Sequence, residues 1–422
     1  MSNYIKNFNE LATTKIRKDA LTIAESAFET IDTNRVIHNS LKLEGSKLNI
    51  LDKVFDLSNF KRIFVIGFGK ASCKAAIAIE EIIDGYITGG MVIDKSPESC
   101  KVVRVYKGSH PLPNKQNVDV SEQIANLAVD AGEDDLVIVL VSGGGSALLC
   151  WPLSECDQGN DLYYKFINSN GSIGELNTVR KHISFVKGGG LAKLLFPSTV
   201  VSLIFSDVPG DSYQDVASGP TYYDETTVED AKNILKKYSI ENTFNLVETP
   251  KDKKYFEKVH NIPLVSNTHA ISAMADKAKS LGYNPIIAGC EIFIDSREML
   301  SLFKEKIGSK SVVLGGGEVA IKIKEGKGAG GRNEYVGAEA LEKNEKGQVF
   351  LSLASDGIDN LSQSAGVLID SDVKDLIQEK NINIKDYIEK NNEDELFKIL
   401  GNQIITGHTG SNVSDLYMLI SE

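Results

Sequence analysis

Ser142-Gly143-Gly144-Gly145-Ser146 sets three glycines between two hydroxyl residues, directly after the apolar run at residues 135–141. Glycines let a backbone approach a ligand closely and turn successive N–H groups toward it, which makes such a stretch a candidate phosphate cradle. Gly67-Phe68-Gly69-Lys70-Ala71-Ser72 places a lysine at the start of a predicted helix, where the dipole disfavours a cation unless an anion is there to meet it. This segment is not a dinucleotide fingerprint, because Cys73 falls beyond the expected third glycine, and no G-x-x-x-x-G-K-[ST] loop occurs. Asn177-Thr178-Val179-Arg180-Lys181-His182 gathers three basic residues on one short segment, followed by Lys187-Gly188-Gly189-Gly190. Gly315-Gly316-Gly317-Glu318, Gly326, Gly328 and Gly330-Gly331-Arg332-Asn333 read as a glycine-rich hairpin with an arginine at the next helix start. That arrangement suits bidentate contact with a phosphate or carboxylate. Asp207 and Asp211, in Ser206-Asp207-Val208-Pro209-Gly210-Asp211, are candidates to bind Mg²⁺ or to take a proton from a hydroxyl; each is equally readable as a turn residue. Ser146 lies in GGGSA rather than a G-x-S-x-G elbow, which argues against a serine hydrolase. His408 reads as a loop residue, and no His/Cys spacing supports a transition-metal site.

Almost every glycine cluster follows a predicted strand. Residues 62–66, 91–93, 102–106, 135–141 and 199–205 read as buried strands, with a helix over 70–84 between the first two. Near-continuous apolar strands alternating with helices predict a doubly wound, mostly parallel, Rossmann-like α/β sheet. A second series (strands at 262–265, 284–288, 311–314, 319–323, 349–353 and 366–369; helices at 267–281 and 297–307) predicts a smaller, mixed α/β domain. One amphipathic helix is expected over 8–31, and a charged, helical stretch over 226–257. The expected division is 1–250 and 251–422. In open parallel sheets ligands bind where strand carboxyl ends and helix N-termini converge, so the glycine clusters at those ends are where a ligand is expected.

Composition removes several function classes. The net charge of −12 argues against a nucleic-acid partner, which needs a basic excess. No apolar run approaches the roughly 18 residues of a membrane span, and the N-terminus lacks the apolar core of a signal peptide. The five cysteines form no C-x-x-C pair and read as scattered reduced thiols of a cytoplasmic protein.

Taken together, the segments resemble the D-glycerate 2-kinase family, whose C-terminal part is the MOFRL domain. The resemblance runs in order through GFGKAS at Gly67, GSHPLPN at Gly108, SGGGSALL at Ser142 and LNTVRKHISFVKGG at Leu176. It continues with SDVPGD at Ser206, ASGPT at Ala217, GGGE at Gly315, GGRNE at Gly330, SDGID at Ser355 and TGHTGSNVSDL at Thr406. It implies transfer of the γ-phosphoryl of ATP to the 2-hydroxyl of D-glycerate with a divalent cation, Mg²⁺, at an active site in the cleft between the two α/β domains. It marks Lys70 and Arg332 as catalytic, with Asp207 as a further candidate. Ser142, Gly143, Gly144, Gly145, Ser146, His110, Arg180, Lys181 and Asn333 are expected to bind substrate or phosphate, and Asp211 the metal. One departure stands out: family members usually carry an acid just before the Ala-Gly that follows SDGID, and this chain has Gln363-Ser364-Ala365-Gly366. The GGGE segment likewise continues Val319-Ala320 where hydroxyl residues are common. The alternatives are a hydroxypyruvate reductase, a label some relatives of the family carry, and a non-catalytic sugar-phosphate-binding protein. A homodimer is left open as an assembly.

Overall fold

The computed structural model describes residues 4–167, 171–241, 243–322, 328–343 and 345–422. They form two compact units, one of Thr33–Ser206 and Ser212–Leu264, the other of Met1–Asp32, Asp207–Asp211 and Val265–Glu422.

The first unit opens with an antiparallel meander, β1 (Leu41–Glu44), β2 (Lys47–Ile50) and β3 (Lys53–Asp56), which the sequence reading did not single out. Its main sheet contains β4 (Arg62–Phe68), β5 (Gly89–Asp94), β6 (Arg104–Lys107), β7 (Asp135–Ser142), β8 (Thr199–Phe205) and β9 (Val259–Val265). Their order is β6-β5-β4-β7-β8-β9, and the pairs β6–β5, β5–β4, β4–β7 and β7–β8 run parallel. Every residue of β7 is buried, as its continuous apolar run requires of a strand covered on both faces. The chain moves outward from β4 through β5 to β6, then returns to β7 on the other side of β4. Strand order therefore reverses between β4 and β7, and a crevice opens at their carboxyl ends.

The second unit holds β10 (Asn284–Ile292), β11 (Ser311–Gly317), β12 (Gln348–Ala354), β13 (Gly366–Ile369), β14 (Gln403–Ile404) and β15 (Asp415–Ser421), ordered β10-β11-β15-β12-β13-β14. Only β10–β11 is parallel among these pairs; the others are antiparallel, so this sheet is mixed, as expected. The final strand, β15, inserts between β11 and β12, and the sequence reading did not identify it.

Three expectations need correction. The helix expected over 8–31 is two helices, Phe8–Leu11 and Lys15–Ile31, the second capped by the Thr14 hydroxyl, which accepts from the Arg17 amide (3.3 Å). Residues 319–322 form no strand: Ala320 makes a single bridge with Asp295, and the Val319 amide donates to the Tyr417 hydroxyl (3.4 Å); Ile323 lies outside the described residues. The stretch 226–257 is helical only at Val228–Lys237 and in one turn at Lys253–Phe256; Asn242 lies outside the described residues.

The expected division at residue 250 also differs from the observed partition. Helix Lys15–Ile31 is bound to the second unit by a buried ion pair, Arg17 with Asp370, in which Arg17 Nη2 donates to Asp370 Oδ1 at 2.6 Å. On the same helix Asp19 accepts from the Tyr283 hydroxyl (2.9 Å). Residues 251–264, placed C-terminal in the linear reading, supply β9 to the first sheet. Removing one partner of a buried ion pair costs about 3–5 kcal/mol, because the other charge is left desolvated. Arg17→Met should lower unfolding free energy in urea by that amount. Adding Asp370→Asn, which keeps the bond to the Val373 amide, should restore most of it.

Candidate active site

At the reversal between β4 and β7 two loops clasp each other. The Lys70 amide donates to the Gly143 carbonyl (2.9 Å), and the Ala71 amide donates to the Ser142 hydroxyl (3.1 Å). Gly69, at φ +122°, lies so close to Ser142 that any Cβ would collide with its hydroxyl and backbone. Gly144, at φ +80°, faces His110 and Lys70: a Cβ there would sit 2.9 Å from His110 Cδ2 and 3.4 Å from Lys70 Cγ. Lys70, His110 and Gly144 are therefore brought together at the strand ends. Within the expected cradle, Ser142 and Gly143 are buried and serve the clasp, and Gly145 is buried against Ala217 and Phe68, so Gly144 and Ser146 are the members that reach the surface. The Ser146 hydroxyl shares a hydrogen bond with Ser218 (2.9 Å). Ala217, Ser218 and Gly219 form a run of three left-handed residues, an uncommon backbone that costs energy at the two non-glycine positions.

The basic trio does not act as one patch. Arg180, Lys181 and His182 end helix Ile173–His182, where successive residues turn by about 100° and face different surroundings. Lys181 pairs with Asp224 (3.3 Å) and Asp215 (3.8 Å), which engages the cation expected to bind phosphate. His182 is fully buried; Nδ1 bonds the Thr178 carbonyl and Nε2 faces Glu248 at 3.3 Å. Arg180 alone turns into a pocket, over the Tyr163 ring at 5.9 Å. Lys187 lies beneath that pocket, buried against Glu155 and donating to the Leu149 carbonyl (2.8 Å). Asn160, Tyr163 and Glu155 were missed in the sequence, because their helix, Leu153–Ile167, carries no local motif.

In the second unit, Arg332 opens helix Arg332–Lys343 after the glycine segment; Gly326 lies outside the described residues. Its guanidinium donates to Asp415 at the start of β15 (2.7 Å) and to Glu318 just past β11 (3.0 Å). Burial opposes its charge, but these two acids outweigh that and raise its pKa above the ordinary arginine value. Asn333, expected as a phosphate ligand, is instead fully enclosed. Its side chain donates to Asp359 (3.2 Å) and Asp415 (3.0 Å) and accepts from Ser352 (2.6 Å), so it pins carboxylates and presents nothing to a ligand. Ser364, at the position where the resemblance leads one to expect an acid, donates to Glu334 (2.7 Å); an acid there would face a carboxylate already buried. Burial pushes Asp359 up to about 6 and Glu393 up to about 7, and the neighbouring carboxylates add to both.

Asp207 and Asp211 belong to the connection after β8. Asp207 is half-buried, whereas Asp211 is exposed, at φ +61°, and accepts from the Thr268 hydroxyl (3.3 Å). Among the described residues no group of three His, Cys, Asp or Glu side chains converges as a metal cage. Carboxylates that act singly suit an Mg²⁺ carried by nucleotide phosphates, which needs only one or two protein ligands. Also among the described residues, no helix is long and apolar enough to cross a membrane.

A switch point that seats a lysine beside a glycine loop defines a class, an α/β enzyme that handles small anions. Comparison with known proteins narrows it. The family described as "Domain of unknown function (DUF4147)" matches residues 19–249, and the MOFRL family matches residues 311–415. The glycerate 2-kinase of Pyrococcus horikoshii is 31% identical over 96% of this chain and 97% of its own. The D-glycerate 2-kinase of Thermotoga maritima is 32% identical over 95% and 97%. A crystal structure of glycerate kinase from Thermotoga maritima superposes with a TM-score of 0.82 at 28% identity, covering 96% of this chain and 99% of that one. The chain belongs to the glycerate 2-kinase family.

The buried acids of the second unit make its stability depend on pH. Glu393 releases its proton near 7 when folded but near 4.3 when unfolded. Between those values the folded state binds more protons, so stability falls as pH rises and the contribution is lost once pH passes 7. Asp359 acts in the same direction up to about 6. Calorimetry from pH 5 to 8 should show a falling unfolding midpoint, with a shallower slope in Glu393→Gln.

Proposed function

We propose that the protein transfers the γ-phosphoryl group of ATP to the 2-hydroxyl of D-glycerate, giving 2-phosphoglycerate and ADP. The observation that carries this reading is Lys70, seated beside Gly144 at the switch point of a chain that belongs to the glycerate 2-kinase family. Phosphoryl transfer asks little covalent work of a protein; it needs alignment and neutralisation of charge. In this reading the bond from the γ-phosphorus to the bridging oxygen breaks, ADP leaves with that electron pair, and the C2 oxygen takes the phosphoryl group as its proton departs. Lys70 neutralises charge from the first unit. Arg332 does so from the second: two of its five N–H donors go to Asp415 and Glu318, which orient the guanidinium. Asp207 would take the hydroxyl proton. Asp211, or Asp207 in place of its role as base, would contact the Mg²⁺ that accompanies ATP, and that ion, when bound, neutralises phosphate charge.

The reductase alternative is disfavoured because the turn after β4 runs Gly69-Lys70-Ala71, without the glycine pattern that seats a pyrophosphate. A coupled ADP-release assay with D-glycerate and Mg-ATP should show turnover, with 2-phosphoglycerate as product. Oxidation of NAD(P)H by hydroxypyruvate in place of ADP release would overturn the assignment. Arg332→Ala and Lys70→Met should each lose more than about 10²-fold in kcat while keeping a cooperative melt; wild-type turnover in either would remove that residue from the mechanism. Asp207→Asn should lower kcat or raise the Mg²⁺ requirement, and unchanged values for both would dismiss it.

A further inference from the structure

A pocket in the first unit, lined by Arg180, Asn160, Tyr163, Lys187 and Ser146 among others, contains two polar groups whose bonding is incomplete among the described residues. The first is Arg180. Its guanidinium rests over Tyr163, and among the described residues its N–H groups meet no acceptor. Burial lowers its pKa despite the opposing charge of Glu155, the signature of a cation that has lost water without gaining a counter-ion. The second is Asn160. Its Nδ2 donates to the Pro113 carbonyl (3.3 Å), which sets the orientation of the amide, and its buried Oδ1 receives no hydrogen bond among the described residues. The remaining charges in the pocket cancel, because Lys187 and Glu155 pair with each other. One uncompensated positive charge remains, which matches one monoanion. A carbonyl oxygen short of a donor matches a hydroxyl. Ser146 also lines the pocket, two residues from the Gly144 that lies against Lys70, so the pocket reaches the switch point.

We infer that this pocket is the hydroxy-acid subsite, in which Arg180 binds the carboxylate and Asn160 accepts from the hydroxyl that is not phosphorylated. The inference rests on the kinase reading for the identity of the acid. Anchoring at C1 and C3 leaves the C2 oxygen free to face the phosphoryl donor, and fixes which hand of the substrate presents it. An amide oxygen is not a useful base, so Asn160 suits the spectator hydroxyl better than the reacting one.

The test is titration calorimetry of D-glycerate, D-lactate and glycerol on the full chain, with the kinase assay run on the same samples. D-lactate retains the carboxylate and lacks the C3 hydroxyl; glycerol lacks the carboxylate. Wild type should bind both acids and not glycerol. Arg180→Gln should weaken both acids by about 30-fold or more and leave KM for ATP unchanged. Arg180→Lys keeps the charge and covers a failure of the glutamine variant to fold; it should weaken both acids by about tenfold, through loss of the bidentate fork. Asn160→Ala should weaken D-glycerate by about 3- to 10-fold and leave D-lactate unchanged. Wild-type affinity for the acids in both Arg180 variants, or equal losses for the two acids in Asn160→Ala, would overturn the subsite while leaving kinase turnover to stand. Binding with these mutational signatures but no phosphoglycerate would reject the kinase reading and keep the subsite. Absence of hydroxy-acid binding by wild type would overturn it.

Discussion

The contact between Gly69 and Ser142 is the constraint on which the first unit's site depends. β4 and β7 lie side by side at the centre of a parallel sheet, and their outgoing loops must cross at the point where strand order reverses. A side chain at residue 69 would collide with the opposing loop, and the left-handed φ there favours glycine. With that space open, the amides of Lys70 and Ala71 dock on Gly143 and Ser142, and the lysine stem comes to lie along Gly144. The hydroxyls and glycines of the triple-glycine segment are thus divided between two tasks. Buried Ser142 and Gly143 hold the clasp, whereas Gly144 and Ser146 face outward, where a ligand can meet them.

Electrostatics divides the cations in the same way. Lys187 and Lys181 are each neutralised by a carboxylate within hydrogen-bonding reach, which is the usual condition for a charge to be tolerated inside a protein. Arg180 is the exception in its pocket: among the described residues its guanidinium meets no acceptor, which singles it out from the two lysines. In the second unit the imbalance is reversed. Glu334, Asp359, Glu393, Asp394 and Asp415 crowd the approach to helix Arg332–Lys343, and hydroxyl, amide and guanidinium donors meet most of their oxygens. One oxygen of Glu334 and one of Glu393 remain without a donor among the described residues. Burying that many acids costs free energy unless some keep their protons, which is why Glu393 and Asp359 shift upward.

Much of this was legible because it depends on short-range rules. Apolar runs such as residues 135–141 are too short for a membrane and too continuous for a half-exposed strand, so they point to a covered parallel sheet. Glycine clusters at the ends of such runs locate the strand-end loops. The ordered motifs from Gly67 to Thr406 carried the family. What escaped were elements whose partners lie far away in the chain. β15 is placed by pairing with β11 and β12, strands more than sixty residues upstream, and nothing within residues 415–421 announces that central position. Helix Lys15–Ile31 was recognisable as a helix, but its membership in the second unit depends on Asp370 and Tyr283.

The sequence by itself therefore determined the α/β class, the strand-end loops and the residue types available for phosphoryl chemistry, since strand periodicity, glycine geometry and side-chain charge are local properties. The tertiary structure decided which of those residues remain available. Three consecutive cations on one helix went to three different surroundings because each step turns by about 100°, and Asn333 was consumed by two buried carboxylates. Asn160, on a helix with no motif, joined Arg180 only through packing. Availability depends on which partners folding brings within hydrogen-bond distance, and those partners come from distant parts of the chain.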